Sequence, residues 1–285
     1  MPRTMSDAPS FAGYPLLEAL GPCPGGTAYR SLHPLDGRPV VVRRLDPAAV
    51  GDVAAFAARA RAAQAVEHPH LARLVDAGEI GGEPFAVLEP LAGAGLTALL
   101  ADIGPMPADL AAGFAAHLAG ALAAAHAAGL AHGNVSADRV VVGPLEPIPD
   151  TPRRRPAAGA TATLLDLGLV PAGTTADDLR GLGDTVYRML VGRDPSAADP
   201  PLAALRPDAP SDLRAVVNEL LAADPAVRPA AAAAADRFVP PEVVEVAVPR
   251  GRPAPGSRKS LYVWLAVGGV LNLIGLGLFA YIVFR

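Results

Sequence analysis

Residues 131–142 read AHGNVSADRVVV and residues 164–169 read LLDLGL, and the chain on either side of this pair of stretches divides into two unlike halves. Just upstream, Leu110, Phe114, Leu118 and Leu122 recur every four residues, which lays an apolar stripe along one helix face, and Gly129 marks the C-terminal end. This is a core helix. Downstream, Leu179, Leu182, Val186, Met189 and Leu190 predict a second helix stopping at Gly192. Ser211 is placed as the cap of a third, which carries Leu213, Val216, Val217, Leu220 and Leu221. The N-terminal side differs in kind. From about residue 14 to residue 89 a glycine cluster, the apolar run 40–42 and two short segments at 71–76 and 84–89 form a β-rich pattern. One helix over about 53–66 interrupts it and ends before Pro69, which disfavours helical backbone in its predecessor.

Two stretches read as irregular: a proline-rich insertion at 143–161 containing Arg153, Arg154 and Arg155, and a proline-rich linker at 239–260. The arginine triplet is either a solvated loop or a contact for anionic lipid head groups. The alanine run 230–235 is set aside as background in a chain biased toward Ala, Pro and Arg.

The chain has 285 residues, 51% of them hydrophobic, enough for one large domain or two lobes with a sizeable core. A net charge of -4 gives no basic footprint for nucleic acid, so no nucleic-acid partner is expected. The single cysteine, Cys23, cannot form an internal disulfide, which fits a reducing compartment. The N-terminal residues lack the apolar stretch of an export signal. Residues 261–284 carry no charge, and at the helical rise they span about 36 Å against a hydrocarbon core of about 30 Å. A single C-terminal transmembrane helix is expected there. Arg250, Arg252, Arg258 and Lys259 precede it and only Arg285 follows, so the positive-inside rule places the N-terminal domain in the cytoplasm as a single-pass plasma-membrane protein. Gly268, Asn272 and Gly275 share one face of that helix and offer a surface for homo-oligomerisation, although glycine is common in membrane helices for other reasons.

Seven segments in order carry a resemblance: LGPCPGGTAY at 20–29, VVVRRL at 40–45, HPHLARLVDAGE at 68–79, AHGNVSADRVVV at 131–142, LLDLGL at 164–169, YRMLVGRDP at 187–195 and DPAVRP at 224–229. Together they resemble the bacterial membrane-anchored Ser/Thr protein kinase family, and the match covers about residues 14–238. The implied fold class is α+β, a bilobal protein-kinase-like fold with a small β-rich N-lobe and a helical C-lobe, plus the C-terminal transmembrane helix. Its divisions are an N-terminal tail 1–13, an N-lobe 14–91, a C-lobe 92–238, the linker 239–260 and the membrane helix 261–284. The resemblance implies ATP and Mg²⁺ as cofactors, with Gly21, Gly26, Arg43, Glu89 and Leu91 in the nucleotide-binding positions and Asp166 in the metal position of the D-F-G motif.

Against that pattern the chemistry is degenerate. Cys23 replaces the middle glycine of the phosphate loop, and Pro22 and Pro24 remove two amide donors beside it. Arg43 stands for the nucleotide-holding lysine and Arg59 for its glutamate partner, two cations where the family has an ion pair. In the catalytic loop only His132 survives. Asn134 replaces the catalytic aspartate and cannot accept a proton, Ser136 replaces the steadying lysine, and Arg139 replaces the asparagine that ligates a second magnesium. Asp178 matches a buried helix-capping aspartate only ten residues after Gly168, so the activation segment is shortened to 169–177. Arg228 has lost the glutamate it pairs with in the family and either finds another carboxylate or is solvated. His68 and His70 are either a partial metal site or part of the structural turn that the H-P-x pattern marks.

The expected function is therefore a pseudokinase, a membrane-tethered regulator or scaffold whose protein partner is an active kinase or an envelope-synthesis complex. The alternatives are a nucleotide-binding sensor, or an atypical Ser/Thr kinase in which Arg43 holds phosphate and Asp166 holds metal.

Overall fold

Strand alternation explains how the N-terminal half is built. In the computed structural model of the chain, which describes residues 9–169 and 173–238, a short hairpin of β1 (Ser10–Phe11) and β2 (Tyr14–Pro15) leads into β3 (Glu18–Cys23), β4 (Gly26–Leu32) and β5 (Pro39–Leu45). On β5, Val40 and Val42 face one side with Phe85 and Val87 under Tyr14, while Val41 and Arg43 face the other side, toward the C-lobe. Phe11 stacks edge-on against Phe85, so β1 belongs to the N-lobe, and the expected tail at 1–13 is corrected to end before this hairpin. After α1 (Pro47–Val50), α2 (Val53–Gln64) is capped by Asp52, whose carboxylate accepts the amides of Ala54 and Ala55. Then β6 (Leu74–Ile80) and β7 (Glu83–Leu88) complete an antiparallel sheet in the order β3-β4-β5-β7-β6.

The C-lobe follows through β8 (Ala94–Gly95) and α3 (Leu96–Ile103) to α4 (Ala108–Ala127), the expected core helix, with Phe114, Leu118 and Leu122 fully buried. Among the described residues α4 alone is long and apolar enough to cross a membrane by length and composition, and half of it is buried inside the domain. The insertion expected to be irregular at 143–161 is instead most of a hairpin, β9 (Val140–Pro147) paired with β10 (Arg154–Leu164), with a register shift between Pro156 and Thr161. Its prolines fit because pairing there needs only the main chain at alternate positions. Arg155 pairs with Glu146 at 2.7 Å, and Arg154 donates to the Leu145 carbonyl.

Helix α5 (Thr175–Val191) opens with a capping box between Thr174 and Asp177 and ends at left-handed Gly192, as its pattern predicts. After α6 (Leu202–Leu205), α7 (Ser211–Leu220) starts with Ser211 inside the helix behind Pro210, which corrects the expectation that Ser211 is the cap. The alanine run set aside as background forms α8 (Ala231–Phe238), which packs Ala231, Ala234 and Phe238 into the core beside α4. The linker at 239–260 and the membrane helix at 261–284, with Gly268, Asn272 and Gly275, lie outside the described residues.

Candidate functional site

A cleft of about 230 Å³ opens where the cleft face of β5 meets the end of β10, walled by Val41, Ala72, Leu88, Leu91, Val141 and Leu165. Cys23, Pro24, Arg43, Glu89, Arg139 and Asp166 line it too, so with Leu91 the structure brings together seven of the residues singled out from the sequence. Gly21, Gly26, Asn134 and Ser136 are not among the lining residues. Gly26 has a packing reason to be glycine, since a Cβ there would lie 1.9 Å from the Arg44 carbonyl oxygen. Ser136 lines a separate polar groove with Asp138, Arg180 and Arg188. Asn134 is exposed, its amide donating to His132 Nδ1. Glu89 is held at the cleft rim by Arg38, 2.7 Å away.

At the inner end of the cleft the side chains close on one another. Asp166 is 3% exposed, and both of its carboxylate oxygens are taken: Oδ1 by Arg43 Nη1 and Oδ2 by Arg139 Nη1, the latter at 2.7 Å. Arg43, 7% exposed, also donates through Nε to Cys23 Sγ at 3.3 Å and through Nη2 to the Pro24 carbonyl at 3.2 Å. The turn is tied down once more where the Asp46 amide donates to the Gly25 carbonyl at 2.7 Å. Burial works against the Arg43 charge, but the Asp166 carboxylate and then Cys23 outweigh it, so the guanidinium holds its proton more tightly than in water. Asp166 sits at φ 71, a left-handed conformation unfavourable for a residue with a side chain, and two cationic partners fix it there. Gly168 follows at φ 75 and passes so close to α2 that a Cβ would lie 2.6 Å from that of Ala63.

Beneath this latch the frame is built from backbone amides and a histidine. Asp178 on α5 is fully buried and accepts the amides of His132 at 2.7 Å and Gly133 at 2.8 Å, with His126 Nε2 at 2.8 Å. His132 Nε2 donates to the Leu165 carbonyl at 2.6 Å, which ties the 131–139 loop to the segment carrying Asp166. Burial lowers the His132 pKa, so the ring is neutral.

No protein-family model matches the chain. Among curated proteins, the serine/threonine-protein kinase PknL of Mycobacterium tuberculosis is 30% identical over 199 residues, covering 63% of this chain and 50% of PknL. The serine/threonine-protein kinase PknD of the same organism is 33% identical over 147 residues, 48% of this chain and 22% of PknD. The chain thus spans about half the length of PknL and less of PknD. Among solved structures, the Mycobacterium tuberculosis PknI kinase domain aligns with a TM-score of 0.68 at 25% identity, over 82% of this chain and 98% of that domain. The chain is homologous to bacterial Ser/Thr protein kinases, and its fold is protein-kinase-like. Rad53 residues 1–466 in complex with AMP-PNP align with a TM-score of 0.62 at 20% identity, over 80% of this chain and 66% of that one, a likeness of fold.

In this kinase-like domain the latch occupies the place where the fold family holds magnesium, and the residues present do not fit that ion. The one carboxylate in position has both oxygens engaged by guanidinium groups, and Arg139 adds a positive charge where the family has a ligand. Among the described residues no group of three or more His, Cys, Asp or Glu is placed to hold a metal ion, His68 and His70 included. The Arg43 and Arg59 positions do not form an ion pair: Arg43 binds Asp166, and the buried Nε and Nη2 of Arg59 have no hydrogen-bond partner among the described residues. Arg228 takes neither course expected of it and donates instead to the carbonyls of Ala176 at 2.8 Å and Ala222 at 2.9 Å. Sequence reading identified Arg139 as hostile to metal but missed it as a partner of Asp166. A signal was present: three family positions had changed to arginine around one retained aspartate, and a buried charge needs a counter-charge.

Proposed function

We propose that the domain is a pseudokinase, a kinase-like domain that keeps its fold without phosphoryl transfer and serves as a membrane-tethered regulator or scaffold. The observation that carries this reading is the engagement of both Asp166 oxygens by Arg43 and Arg139. Loss of the general base at Asn134 alone lowers the rate by about 10²- to 10⁴-fold, and the absent metal position compounds it. The uncharged stretch 261–284 behind the basic residues 250–259 supports a single-pass anchor with the domain facing the cytoplasm. A scaffold in that position acts on another protein at the membrane, and an active kinase or an envelope-synthesis complex is the kind of partner that fits. Gly268, Asn272 and Gly275 would add self-association through the membrane helix.

The apolar cleft beside Glu89 and Leu91 favours one second reading, a nucleotide sensor that takes the base of ATP or ADP without metal. One experiment separates the readings. The full chain in mild detergent is heated with millimolar ATP or ADP, each with and without Mg²⁺, beside an active homologous kinase. A ligand at a hundredfold excess over its Kd stabilises the folded state by about 2.7 kcal/mol, roughly 5–10 °C in a domain of this size. The pseudokinase reading expects no metal-dependent shift and no labelled phosphate on any protein. A shift equal with and without Mg²⁺ supports the sensor. A magnesium-dependent shift overturns the latch as the reason for inactivity.

A further inference from the structure

His70 and His117 stack where the N-lobe meets the C-lobe, with His68 tilted beside them at 59° to His70. The first two flank Pro69 in the turn between α2 and β6, and the third lies in the middle of α4. The rings of His70 and His117 are 3.8 Å apart at 16°, and His68 lies 5.5 Å from His70. His68 packs on α4 at Gly120, where a Cβ would approach its Nε2 to 3.3 Å. The stack also grips β10. His117 Nδ1 accepts the Ala162 amide at 3.3 Å, so the proton of the neutral ring sits on Nε2. The same turn is stitched to that strand by its main chain, Leu164 N–H to His70 O at 2.9 Å and Ala72 N–H to Leu164 O at 2.8 Å.

The surroundings supply no counter-charge. Glu67 and Arg73 on the turn are exposed and face each other at 3.7 Å. On α2 the nearby ionisable groups are Arg59 and Arg61, both cationic, and β10 over 161–164 has none. On α4 the other ionisable groups stand toward its two ends, Asp109 and His126, and His126 is bound to Asp178. Apart from burial, the influences on the His117 charge are His70 and His68 themselves.

We propose that this stack is a proton-operated joint: with neutral rings it fastens the 65–73 turn, α4 and β10 together, and protonation parts them. Two imidazolium rings at stacking distance repel with no carboxylate between them. A proton on His117 Nδ1 also meets the Ala162 N–H donor to donor, so that bond is lost. Burial, then His70 and His68, push His117 from 6.5 down to about 4, and burial lowers His68 and His70 as well. Because the folded-state pKa lies below the unfolded value, the joint is intact above about 6.5 and is lost progressively as pH falls from there toward 4.

The test is amide hydrogen exchange at Ala162 and Leu164 in the full chain, from pH 7 to pH 5, corrected for the intrinsic pH dependence of exchange. The native chain is expected to open about tenfold more at pH 5. In His117→Asn, whose amide oxygen still accepts the Ala162 N–H without titrating, the corrected pH response is expected to shrink to the share left by His68, His70 and His132. His117→Phe keeps the ring stack, lacks the acceptor, and is expected to exchange faster at both pH values with the same reduced pH response. His132 also titrates on unfolding, and its share is the same in all three chains. Unchanged protection in the native chain, a pH response in both variants as large as the native chain's, or a His117 titration by NMR at 6.5 or above would overturn the proposal.

Discussion

Two buried aspartates, twelve residues apart in sequence, are satisfied in opposite ways. Asp178 accepts two backbone amides and a histidine, donors that the fold itself places, and these hold the start of the 131–139 loop against α5. Asp166 is satisfied by two arginines standing where a kinase has a lysine and an asparagine. The first carboxylate organises the chain and is answered by main chain. The second belongs to chemistry in the family, and here side-chain substitution has turned it into a structural ion cluster. Framework and cleft therefore rest on different carboxylates, and the fold does not depend on Asp166 being free to bind a ligand.

Removing each carboxylate in turn tests this contrast most strongly. Asp178→Ala strips acceptors from buried amides and is expected to cost about 3–5 kcal/mol, lowering the thermal midpoint by roughly 6–20 °C. Asp166→Ala leaves two largely buried guanidinium groups facing each other and is expected to cost about 2–4 kcal/mol by chemical denaturation. An Asp166→Ala chain as stable as the parent would mean that the cluster contributes nothing to the fold. The double variant Arg43→Lys with Arg139→Asn sharpens the comparison: it frees one side of Asp166 and is expected to gain a magnesium-dependent nucleotide shift of a few degrees, about 1–2 kcal/mol, still without phosphoryl transfer because Asn134 remains. The smallest effect belongs to an exposed carboxylate, Asp208. Arg206, 2.7 Å away, holds the Asp208 carboxyl down to about 2. Its contribution is present above about 3.8 and fades as pH falls toward 2, so Asp208→Asn should flatten only the acid limb of the stability profile.

The helices around Phe114 and Val186 were legible because their apolar residues repeat at the helical period and their ends carry glycine at 129 and 192. The β9–β10 hairpin was not: prolines at 144, 147 and 156 argue against a strand when read one residue at a time, and the pairing that permits them is visible only across the two strands. The helix α8 opens on five alanines that match the chain's compositional bias, and its place is fixed by burial of Ala231, Ala234 and Phe238 beside α4. In the site, the identity of each altered residue was readable from ordered motifs. The latch was not, since Arg43 and Arg139 meet Asp166 from 123 and 27 residues away, distances that only the fold closes.

The tie between Arg43 and the turn at Cys23 and Pro24 bears on ancestry as much as on chemistry. Changing Arg139 alone leaves Arg43 on Asp166, and changing Arg43 alone leaves Arg139 there and also removes two of the turn's ties. A descendant regaining a metal site must therefore alter both arginines before either change is rewarded, and the phosphate loop loses an anchor on the way. The latch makes the closed state of Asp166 easy to keep and hard to reverse.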